Sequence, residues 1–134
     1  MSSFDAGQQI KTVTLIPAQA WDGDADLTTA TGISVAGAEG VAVVVTTGTV
    51  AADADHVIEF YEGDADDFTA AAATKLDDSQ VIASPEIDAT DNATYVYSIK
   101  MNKEFLKVKL SSETDKAAAL AVTAVMTHLS NVPA

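Results

Sequence analysis

Hydrophobic and polar residues alternate along much of this chain with a period of two, the pattern of β-strands that bury one face. The clearest run is EFLKVKLSS (residues 104–112). There Leu106, Val108 and Leu110 share one face, and Phe105, Lys107 and Lys109 the other. HVIEFYEG (56–63) sets His56, Ile58 and Phe60 against Val57, Glu59 and Tyr61, and ATYVYSIKM (93–101) alternates aromatic with small residues. QQIKTVTLI (8–16) is rich in β-branched residues and is expected to stop at Pro17. GVAVVVTTG (40–48) reads as a buried strand, and GISVAG (32–37) and SQVIAS (79–84) as short ones. The last segment, KAAALAVTAVMTHL (116–129), mixes helix-favouring alanines with β-branched Val122, Thr123, Val125 and Thr127. The pattern favours a strand, paired with 104–112 as a hairpin across a Thr-Asp-Lys turn.

Between these runs lie acidic loops: WDGDADLTTATG, AADAD, EGDADD, LDD and EIDATDN. Short strands at close spacing, separated by Gly, Asp and Asn, predict an all-β antiparallel sandwich of the jelly-roll kind. No second core, linker or repeat is visible. Residues 1–134 therefore read as one domain, with 1–7 and 130–134 as flexible termini or arms.

Charge changes the picture most. Twenty acidic residues face seven basic ones, all lysine, for a net charge of −13. Residues 1–99 hold 17 acids and two lysines, whereas 100–134 hold five lysines and three acids. Such a chain repels polyanions, and without arginine it lacks the bidentate fork for phosphate, so nucleic acid is not an expected partner. The longest apolar runs, near 41–45 and 117–126, fall far short of the ~20 residues of a membrane helix. The start, MSSFDAGQQIK, has no apolar run and so does not read as a signal peptide. With no cysteine, disulfides, thiolate metal sites and cysteine nucleophiles are excluded.

Candidate chemistry is thin. An EF-hand loop needs acids at positions 1, 3 and 5, glycine at 6 and glutamate at 12. Counting from Asp22 puts Leu27 at position 6 and Ile33 at 12; counting from Asp64 puts Phe68 at 5 and Lys75 at 12. Both fail; aspartate–glycine turn chemistry accounts for the loops more simply, with a non-EF calcium site in a β-loop as the alternative. His56 and His128 are the only histidines, too few for a three-histidine zinc site, and both read as surface or strand-end residues. No nucleophile elbow, phosphate loop or paired-carboxylate spacing appears, so neither catalysis nor a cofactor is expected. Trp21, in an acidic loop, either anchors in a partner's pocket or caps the sandwich. Tyr95 and Tyr97 share a face and read as core. Asn92-Ala93-Thr94 matches the glycosylation sequon, which is inert without secretion.

The ordered series KTVTLIPAQA, GISVAGAEGVAVVV, HVIEFYEGDADDFTAAA, ATYVYSIKMNKEFLKVKLSS and AAALAVTAVMTHLSNVPA resembles the small head proteins of tailed bacteriophages. These are the decoration, or cement, proteins that bind the outside of the capsid. The resemblance spans residues 10–134. Where those relatives usually carry arginine in the penultimate strand, this chain has Lys107 and Lys109. It implies a virion protein made in the host cytoplasm, without enzymatic activity. Its partner would be the major capsid protein of a phage head, and a homo-oligomer, first of all a trimer, would sit on the lattice. Phe105, Lys107, Lys109 and Trp21 are the candidate partner-binding residues, with the acidic loops facing solvent. The same outline also resembles discoidin-type carbohydrate-binding modules, the alternative reading.

Overall fold

The computed structural model describes residues 10–29, 32–52, 55–64, 74–77, 79–82, 92–112 and 116–127. Among them every regular element is a strand. In chain order these are β1 (Ile10–Trp21), β2 (Leu27–Thr28), β3 (Ile33–Ser34), β4 (Gly40–Val50) and β5 (His56–Gly63). They are followed by β6 (Thr74–Lys75), β7 (Val81–Ile82), β8 (Thr94–Ile99), β9 (Phe105–Ser112) and β10 (Ala118–Thr127).

All pairings are antiparallel, and they form two sheets. The first runs β1-β10-β4-β8-β7; the second runs β2-β9-β5-β6, with β3 also on β9. The pairs nest like the rungs of one long hairpin. β1 lies on β10, β2 and β3 on β9, β4 on β8, and β5 on β6. Rolling that ribbon brings β10 against β4 and β9 against β5, which closes each sheet. This is the double-sheet winding of a jelly roll. β2 and β3 act as one interrupted edge strand. The Thr29 amide donates to Val108 O and the Val35 amide to Glu104 O, so β9 keeps its partner across the gap.

Alternation decides which side of each sheet faces in. On β10, Ala118, Leu120, Val122, Ala124 and Met126 are buried, and on β9 Leu106, Val108 and Leu110 are. From β4 and β8 come Val43, Val45, Tyr95, Tyr97 and Ile99. The Phe60 and Tyr97 rings meet across the sheets at 5.4 Å, tilted by 57°, an offset geometry that aromatic quadrupoles favour. Tyr95 and Tyr97 thus lie in the core, as their shared face predicts.

Two expectations about elements need correction. Residues 104–112 and 118–127 are both strands, but they are not a hairpin. β9 belongs to one sheet and β10 to the other, so the chain crosses between layers there. Nor does Pro17 end the first strand, since β1 continues to Trp21. The strand has no further described neighbour on its outer side, and its register against β10 shifts twice, between Thr14 and Ile16 and between Ile16 and Gln19. An edge strand with bulges tolerates a residue lacking an N–H.

Candidate functional site

The outward face of the second sheet collects the residues singled out in the sequence. Phe105, Lys107 and Lys109 alternate with core residues on β9 and are half-exposed. The register sets Phe105 opposite Gly63, Lys107 opposite Tyr61 and Lys109 opposite Glu59. Lys75 on β6 lies opposite Tyr61 on the far side, completing a Lys75–Tyr61–Lys107 row. Glu59 takes an ion pair from Lys75 at 2.6 Å and a longer one from Lys109 at 3.9 Å. Lys109 also reaches Asp26 at 3.5 Å. Exposed pairs of this kind contribute ~0–1 kcal/mol each, so they order the face more than they stabilise the fold. Lys75, Lys107 and Lys109 thus share this face with Glu59 and Asp26 and with one phenyl and one phenol ring. Gly63, opposite Phe105, adds no side chain of its own and is itself buried.

Trp21 lies elsewhere. It is 5% exposed and closes the end of the sandwich; of the two roles open to it, this is the cap. Its indole Nε1 donates to Ala25 O at 2.7 Å, and its ring sits 5.2 Å from the His56 ring. The WDGDAD loop is held by turn chemistry. The Asp24 amide donates to Asp22 Oδ1 at 2.9 Å, and Gly23 takes φ +84°.

His56 is a strand-end residue but not a surface one. It is fully buried, its Nε2 lies 2.9 Å from Lys116 O, and its Nδ1 has no partner. A carbonyl only accepts, so Nε2 carries the hydrogen. His128 lies outside the described residues. Among the described residues no three His, Asp or Glu side chains converge on a metal position, and no helix is long and apolar enough to cross a membrane.

The acidic turn EGDADD is not wholly a surface feature. Asp64 is exposed, residues 65–70 lie outside the described set, and Glu62 is 3% exposed. Period-two alternation puts Glu62 on the inward side with Phe60. Its carboxylate accepts the Asn102 amide at 3.2 Å and Gln80 Nε2 at 3.2 Å. It therefore ties β5 to the chain on either side of β8. Above it, a cleft of about 420 Å³ opens between residues 35–41 and 99–104. Its rim carries Glu39 and Glu104 but also Lys100 and Lys103, so it selects neither sign of ligand charge.

Sequence reasoning reached the β9 residues through their alternation but missed Lys75 and Glu59, which share their face. Alternation in 56–63 places Glu59 beside Tyr61. Only the cross-strand register, absent from any single segment, brings both to Lys107 and Lys109.

No protein-family model matches this chain, and no curated protein matches its sequence. Among solved structures, the fold superposes on the VP2 subviral particle of infectious bursal disease virus with TM-score 0.56 and 11% identity. The match covers 93% of this chain and 33% of that one. A structure of the Gx strain of the same virus aligns with TM-score 0.48 and 13% identity over the same shares. The chain thus spans about a third of the length of these structures' chains. At such identity the likeness is one of fold, a two-sheet antiparallel sandwich shared with a protein that forms a viral particle.

Proposed function

We propose that this chain is a structural protein of a virus particle, and specifically a decoration protein on the outer surface of a tailed-phage head. The observation that carries the reading is the superposition of almost the whole chain on a protein that builds a subviral particle. The ordered resemblance of its segments to phage head proteins supports the finer assignment.

In this reading the protein is made in the host cytoplasm and binds the major capsid protein through the outer face of the second sheet. A cement protein acts by mass action: it binds the assembled shell better than free subunits, and the shell gains the binding free energy. It needs repeated complementary contacts and neither catalysis nor a cofactor. In a chain of net charge −13, the Lys75–Tyr61–Lys107 row and Lys109 form a surface that an acidic shell can approach with little repulsion. Phe105 supplies the aromatic contact that interfaces favour at their centres.

Occupancy on purified heads, at low and high salt, tests this. Lys107→Glu should weaken binding by ~0–1 kcal/mol. Adding Lys109→Glu should weaken it further and flatten the salt dependence. Phe105→Ala should cost most, about 2 kcal/mol or more for a buried aromatic anchor. Full occupancy by all three folded variants would show that this face does not dock. A chain retained on glycan arrays but not on heads would favour the carbohydrate-binding alternative.

A further inference from the structure

Among the described residues, the sandwich's other outward face is uncharged. Lys11 is the single charged residue in β1, β4, β8 and β10, although charged residues make up 20% of the chain. Lys11 sits opposite Met126, a buried position, so it belongs to the other side of the sheet. The outward rows consist mainly of small apolar and hydroxyl side chains, with the larger Ile10 at the β1 edge. One row runs Thr14–Thr123–Val44–Val96 across four strands, and the next contains Val125 beside Ala42. Val96 is 48% exposed. No described strand lies over this face.

We infer that this face is where two copies of the chain meet, sheet against sheet, about a two-fold axis. Charge selects the occupant. Two copies each carrying −13 repel through their acidic residues, and among the described faces this uncharged one avoids opposing like charges. A surface of Val, Ala and Thr is also its own complement, because hydroxyls both donate and accept; an isologous contact requires such self-complementarity. Small side chains let twisted sheets approach to ~10 Å. Edge-to-edge pairing through β1 is discouraged by Pro17 and the two register shifts, devices that keep edge strands from adding neighbours.

The area sets the strength. With strands ~4.8 Å apart and ~3.4 Å per residue, β1, β10 and β4 along the span Ala119 to Thr127 and the short β8 present about 540 Å² per copy. The pair would bury about 1,100 Å², below the ~1,600 Å² of a standard specific interface. The dimer is therefore weak when free and is reinforced wherever copies are held close together. This contact is independent of the proposed docking face, which lies on the opposite sheet.

Sedimentation of the purified chain, from low micromolar to millimolar concentration and at low and high salt, tests it. The mean mass should rise with concentration toward twice that of the chain. The rise should be steeper at high salt, because screening lowers the repulsion while the contact carries no ion pair. Val44→Glu should reduce the association constant at least tenfold, and Val44→Thr should preserve it. Val96→Glu, at a more exposed position, gives the same loss without burdening folding. Lys107→Glu, on the other sheet, should leave association unchanged even where it impairs head binding. A wild-type chain that stays monomeric at millimolar concentration in high salt overturns the inference. So does association that persists unchanged in a folded Val96→Glu chain, including assembly into trimers.

Discussion

Replacing Gly23 with alanine should destabilise the protein through a residue distant in sequence. Gly23 adopts φ +84°, where an L-residue costs roughly 1–2 kcal/mol. A β-carbon there would also overlap the backbone of Lys116, whose carbonyl must shift. That carbonyl is the hydrogen-bond partner of buried His56. Losing it leaves a second unpaired ring nitrogen beside Nδ1, at a cost of about 1–3 kcal/mol. The sum, about 2–5 kcal/mol, is a large part of the 5–15 kcal/mol that holds a typical domain folded. Urea unfolding followed by fluorescence of Trp21, the only tryptophan, should show a lower midpoint with an unchanged slope. In a His56→Leu background the same substitution should cost less, because no imidazole bond remains to be lost. The coupling should fall in the range of about 0.5–3 kcal/mol typical of residues that share a network. A cost under ~1 kcal/mol for Gly23→Ala, or strict additivity with His56→Leu, would refute this chain of contacts.

Glu62→Ala should cost about 2–3 kcal/mol in the same assay, since hydrogen bonds to a charged group contribute ~1.5–3 kcal/mol; Glu62→Gln, which keeps an acceptor oxygen, should cost less. Burial, and secondarily the neighbouring Tyr95, push the Tyr97 hydroxyl up to about 12 from its ordinary 10.0. The neutral form is the one the fold favours, so its contribution is complete below pH 10 and is lost as pH rises toward 12. A tenfold change in acidity is about 1.4 kcal/mol, so alkaline destabilisation of up to about 3 kcal/mol is expected, and Tyr97→Phe should remove most of that pH dependence. A Tyr97→Phe chain that loses stability over pH 10–12 as steeply as the parent would rule out Tyr97 as the source.

The strands were legible wherever alternation is strong. In β9 and β5 the inward and outward sets follow directly from the letters, and β-branched residues outweigh alanine in β10 because the strand has a neighbour on each side. What the letters omit is which strand is the neighbour. A hairpin and a crossover between sheets can share the same short polar connection, which is why the hairpin read for 104–129 fails. The two-residue strands β2 and β6 are too short to show a period. They exist because β9 and β5 offer them free edges. His56 and Glu62 were misplaced by residue type: ionisable side chains default to the surface. Their positions in the alternation, in phase with Ile58 and Phe60, point inward. The candidate face was legible on one strand only, since Lys75 and Glu59 join it through register.

The nested winding also dictates an order of events at the ribosome. β10 separates β1 from β4, so the first sheet remains in two pieces until the last strand has been made. At a synthesis rate of about 5–20 residues per second, β1 waits roughly 5–20 s for its partner. Meanwhile β4, with its uncharged VAVVV stretch, offers an open edge of the kind that nucleates aggregation. Glu39 stands directly before that strand, and Asp53 and Asp55 follow soon after it. Flanking charges of this sort act as gatekeepers, which gives these carboxylates a task in the nascent chain, before any particle is present.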